Sequence, residues 1–108
     1  MWRWQTWIEY AYPIIRRVRG ENPKSLIATG LEWNVPGHEH CSVGIVAQDA
    51  VPIGEFEYRF DRGDNDTSGG LRGAWQGKDF RQDAHSKAVD AAKWLQANHR
   101  DSSWMVFA

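Results

Sequence analysis

The strongest periodic signal lies near the end of the chain. Ala84, Ala88, Ala91, Ala92 and Leu95 recur at helical spacing, Val89 and Trp94 flank them, and Lys87, Asp90 and Lys93 fall outside. Asp83 is a suitable N-cap, while His99 and Arg100 suit the C-terminal dipole, so a helix is predicted from about Asp83 to Asn98. Its many inward alanines predict close packing against a sheet. Trp104-Met105-Val106-Phe107 follows as a short final strand.

Upstream, the pattern switches to strand periods. Ser25 to Asn34 alternates, with Ile27, Thr29, Leu31 and Trp33 on one face. After the Val35-Pro36-Gly37 break, Glu39 to Gln48 forms a second strand whose Val43–Ala47 centre is apolar on both faces. A third strand is predicted where Phe56, Tyr58 and Phe60 oppose Glu55, Glu57, Arg59 and Asp61. A polar loop leads through Gly69-Gly70 to a fourth strand, Leu71 to Trp75.

The N-terminal segment satisfies two patterns. Trp4, Trp7, Ile8, Ala11, Ile15 and Val18 form a helical stripe, with Thr6 and Glu9 at capping-box spacing. Trp2, Trp4, Ile8, Tyr10 and Tyr12 also fit a strand. The helix is preferred, bent or broken at Pro13, because Arg16, Arg17, Arg19 and Gly20 make a good helix end. The expected architecture is a single α+β domain over residues 1–108, in the order α-β-β-β-β-α-β. Its small antiparallel sheet has three to five strands and is packed by the C-terminal amphipathic helix.

At 108 residues, 42% hydrophobic and 25% charged, the composition is that of an ordinary globular domain. No apolar run reaches membrane-spanning length, and Met1 to Gln5 lacks the layout of a secretory signal. A lone Cys41 makes no internal disulfide, so a cytoplasmic location is expected. Two features change the picture. Seven tryptophans exceed what a small core readily absorbs, so some should be half exposed or covered by a partner, a second copy included. The net charge of −1 also hides an acidic middle: residues 31–70 carry eight acidic and two basic groups.

Candidate chemistry is sparse. His38 and His40 share one face of an extended segment and are candidate metal ligands, but no third ligand lies at fixed spacing. Cys41 beside Glu39 lacks an oriented base, which disfavours a nucleophile. Asp64-Asn65-Asp66-Thr67-Ser68-Gly69 matches the start of a calcium loop, yet Trp75 stands where the bidentate Glu belongs. Gly69 to Gly73 lacks the lysine and hydroxyl of a phosphate loop. Neither a catalytic triad nor a carboxylate pair with one member in an apolar setting is apparent, so an enzyme is not expected and no cofactor is implied.

The run Trp75 to Phe80 into the Ala-rich helix resembles the last hairpin and helix of phage-integrase arm-binding domains, which would imply DNA binding. The face Glu55, Glu57, Arg59, Asp61 would instead repel phosphates. The expectation is therefore a small non-enzymatic protein-interaction module. It would act as an inhibitor or adaptor of phage or plasmid type, docking Glu55, Glu57, Arg59, Asp61, Asp64 and Asp66 on a basic, nucleic-acid-binding partner. One alternative is a single-stranded nucleic-acid binder using Arg16, Arg17, Arg19 and exposed tryptophans. The other is a metal-dependent enzyme at His38 and His40.

Overall fold

The structure is a computed structural model that describes residues 1–27, 29–34, 40–47, 49–61, 63–81 and 84–107. It opens with one long helical rod. Helix α1 (Arg3–Thr6) passes through a π turn (Trp7–Ala11) into helix α2 (Tyr12–Glu21). The chain stays helical through Pro13 rather than breaking there, with a change of helix type just before it. Proline cannot donate to the carbonyl one turn back, and the π turn widens the helix just before it, with Tyr12 N–H reaching Trp7 O. The start also differs from the Thr6–Glu9 capping box: Trp2 is the N-cap, and its N–H donates to Gln5 Oε1 at 2.8 Å.

Strands β1 (Thr29–Asn34), β2 (His40–Ile45) and β3 (Ser103–Phe107) form an antiparallel sheet in that order. Leu31 faces Val43, Trp33 faces Cys41, and Val43 faces Met105 across the register. These residues share the inner face, with Cys41, Val43 and Ile45 fully buried. The opposite face carries Gly30, Glu32, Ser42, Gly44, Trp104 and Val106 by the alternation of side chains. Gly44 is needed there, because a Cβ would lie 2.1 Å from the Trp104 ring that rests on it.

The predicted third strand is a helix, α3 (Val51–Phe60). Phe56, Tyr58 and Phe60 alternate, but Ile53, Phe56 and Phe60 also sit at helical spacing and pack on the sheet. Pro52 stands in the first turn, Val51 N–H donates to Asp49 Oδ1, and Glu55 pairs with Arg59 one turn on. Tyr58 is buried on the other side, in a second cluster with Trp4 and Trp75. A helix buried on two sides imitates an alternating strand.

The predicted fourth strand is likewise absent. Leu71–Gly73 is a single 3₁₀ turn with Arg72 in the left-handed region, and Trp75 N–H closes it onto Gly69 O. Gly70 lies flat against the Trp75 ring, where a Cβ would come within 2.1 Å. Helix α4 (Ala84–His99) forms as expected and buries Ala88, Ala91 and Leu95. Two face assignments reverse: Ala92, expected inside, is exposed, and Lys87, expected outside, is buried. The predicted N-cap, Asp83, lies outside the described residues. The class is α+β, with three strands among the described residues and the helices packed on one face of the sheet.

Candidate functional site

The helical form of residues 51–60 scatters the residues that a strand would have aligned. Glu55 and Arg59 pair at 2.7 Å on the side of α3 facing α4, and the Arg59 guanidinium lies 5.7 Å from the Trp94 ring centre. Glu57 points the other way and is 6% exposed, accepting the Trp7 indole N–H at 2.7 Å. Asp61 joins it one turn later and accepts from Arg3 at 3.2 Å.

Asp64 and Asp66 are buried beneath the N-terminal rod. Asp64 Oδ2 accepts Trp4 N–H, Asp66 Oδ2 accepts the Trp4 indole N–H, and their other oxygens close successive turns at Asp66 and Ser68. Burial raises the Asp66 pKa, but hydrogen bonds from Ser68 and Trp4 outweigh it and hold the carboxyl below its ordinary value. The calcium-like loop is thus a lock on the first helix, its oxygens taken by N–H donors and by Lys78, 3.7 Å from Asp64. The exposed acidic docking face does not form, since three of its carboxylates are inside.

Arg16 and Arg17 are exposed, but Arg19 turns inward to donate to Ile27 O, Ala47 O and the Tyr12 hydroxyl. The basic cluster therefore presents two guanidiniums on the helical layer, while Trp104 lies on the opposite sheet face. His38 and the side chain of His40 lie outside the described residues. Among the described residues no group of three His, Cys, Asp or Glu could hold a metal ion. Cys41 is fully buried and its thiol pKa is raised by that burial, which suits a small apolar core residue.

Two concavities carry the remaining chemistry. The larger, about 690 Å³, opens where the segment after Trp75 passes between α3 and α4. Phe60 and half-buried Trp94 form its floor, their rings 5.9 Å apart, and Phe80 stands on its wall at 69% exposure. Arg81 crosses the rim, bonding Asp79 and Asp90 at 2.6 Å each. The Arg81 side-chain bond to Asp79, helped by the Arg81 backbone N–H and opposed by burial, holds the Asp79 pKa below its ordinary value. Lys78 is tucked beneath, 4.2 Å from the Tyr58 ring centre, its pKa lowered by burial. Rigid aromatics ringed by fixed charges can receive an apolar side chain or flat ring while the rim sets its orientation.

The smaller cleft, about 480 Å³, lies between the first helix and β1, with Glu57, Asp61, Trp7, Arg3 and Glu32 on its walls. Burial, then the hydrogen bond to Asp61, raises the Glu57 pKa to about 8. Asp61 moves down: burial opposes this, but the bond from Glu57, the Gly63 N–H and Arg3 prevail. At neutral pH a protonated Glu57 donates to an ionised Asp61. Sequence reading finds no such pair, because the apolar setting comes from Trp7, fifty residues away.

The sequence places Phe80 in the integrase-like run and Trp94 on the helix flank, but does not bring them together with Arg81 as one site. The aromatic-and-arginine composition of 75–94 is the one signal that could have found them. Comparison with known protein families, with curated proteins and with solved structures finds no match. Among the described residues no helix is long and apolar enough to cross a membrane.

Proposed function

We propose that the chain is a small non-enzymatic protein-interaction module, an inhibitor or adaptor, with its docking centre in the hollow floored by Phe60 and Trp94. The observation that carries this reading is Phe80, a large aromatic 69% exposed beside a floor of buried aromatics and a rim fixed by Arg81. Exposed aromatic and arginine side chains around a preformed pocket are the composition of interface hot spots. Glu55 and Arg59 border the same surface through the Arg59–Trp94 contact, and Gly77 of the lining lies against Arg59. The rim carries both signs of charge, with Glu55, Asp79 and Asp90 beside Arg59 and Arg81. The partner is therefore expected to offer an apolar or aromatic anchor flanked by both signs of charge, rather than a uniformly basic surface.

The Glu57–Asp61 pair does not favour a catalytic reading. Its oxygens are occupied by the Trp7 indole and by Arg3, which makes it a joint between the first helix and α3. The test is capture from extract of cells that naturally make the chain, repeated with purified components. Phe80→Ala and Arg81→Glu, both at exposed positions, should leave the fold intact and weaken the reconstituted complex about tenfold or more. A partner bound equally well by wild type and both variants would overturn the assignment of this surface.

A further inference from the structure

The two edges of the sheet are unequally guarded. The β1 edge is flanked by the N-terminal rod across the smaller cleft and carries the charge of Glu32. Among the described residues β3 pairs only with β2, and β3 reads Ser-Trp-Met-Val-Phe, with no charge and no proline. Natural edge strands are commonly protected by charge, proline, a bulge or a cover. Trp104 is 44% exposed and Val106 57% exposed on this strand.

The helix beside it continues the same character. On α4, Val89, Ala92 and Gln96 form an exposed uncharged stripe on the flank opposite Trp94. A groove of about 360 Å³ separates that flank from β3, lined by Ala92, Gln96, Arg100, Ser103 and Met105.

We propose that this edge pairs with a second copy of the chain, β3 against β3 in antiparallel register about Met105. A two-fold axis there sets Trp104 opposite the partner's Val106, so the two exposed apolar residues of each strand cover one another as cross-strand pairs. No charge lies within either strand to meet its like. Arg100 and Asp101 precede the strand, so the two-fold axis places the equivalent charges at opposite ends of the paired strands. Five paired residues alone fall short of the roughly 800 Å² per partner that a stable interface buries. The interface therefore extends onto the α4 flank, where small Ala92 lets the two helices approach across the same axis, over the groove. The joined sheet has six strands, twice the three of one chain. This interface is separate from the Phe60–Trp94 hollow and does not depend on it.

Sedimentation equilibrium from low-micromolar to near-millimolar concentration tests the pairing. The wild type should approach twice its 12.4 kDa monomer mass. Val106→Lys and Ala92→Glu alter exposed positions, so each should keep the monomer circular dichroism while weakening the dimer at least tenfold. Phe80→Ala should leave the dimer unchanged. A wild type that stays monomeric throughout, or a dimer that neither variant weakens, would overturn the proposal.

Discussion

Glu57 shows how one side chain is governed by residues far from it in sequence. Placed on α3 with Trp7 above it and Asp61 one turn on, it keeps its proton to about pH 8, whereas the unfolded chain releases it near 4.5. The folded state therefore binds more protons between those values, and this group's contribution to stability falls as pH rises through the window. Asp61 runs the other way, its contribution fading only as pH drops through its lowered folded value. Glu57→Gln keeps an acceptor for Trp7 and a donor for Asp61 without the charge. Urea unfolding at pH 5, 7 and 9 should show the wild type losing on the order of 3 kcal/mol relative to this variant across the series. Parallel profiles would contradict the buried, shared proton.

At the scale of elements, local pattern was informative where burial is one-sided. The α4 stripe, the β1–β2 pairing and β3 follow from period and punctuation, because each shows one face to the core. Helix α3 did not, since Phe56 and Phe60 face the sheet cluster while Tyr58 faces Trp4 and Trp75, and the sum alternates like a strand. The helical signals were present in Pro52 and the Glu55–Arg59 spacing. The acidic loop misled for a different reason: Asp64 and Asp66 find their donors sixty or so residues earlier, at Trp4, a pairing no local pattern encodes. The sheet's open face offers an element-scale test. Gly44→Ala would drive a Cβ into the Trp104 ring, so it should cost roughly 1–3 kcal/mol and shift tryptophan emission. An unchanged urea midpoint would mean that Trp104 does not rest on β2.

Over the whole molecule, the seven tryptophans divide by task. Trp4 and Trp75 build the second cluster, Trp33 donates its indole to Phe60 O within the main core, and Trp7 seals Glu57. Trp94 floors the hollow, while Trp2 and Trp104 remain exposed. The surplus noted in the sequence is thus partly structural and partly outward-facing, and half-buried Trp94 and exposed Trp104 mark two separate surfaces. One is the hollow beside Phe80 and Arg81; the other is the β3 edge. Neither coincides with the acidic stretch, because the fold uses most of that stretch internally.

On the proposed function, the Phe80–Trp94 hollow receives a protein partner. The most direct measurement places a photo-crosslinking phenylalanine analogue at position 80, with a second at exposed Tyr10 on the first helix, and irradiates cells that naturally make the chain. A discrete protein adduct should form from position 80, be diminished by Arg81→Glu and be absent from position 10. No adduct at position 80, or the same adduct from both positions, would contradict it.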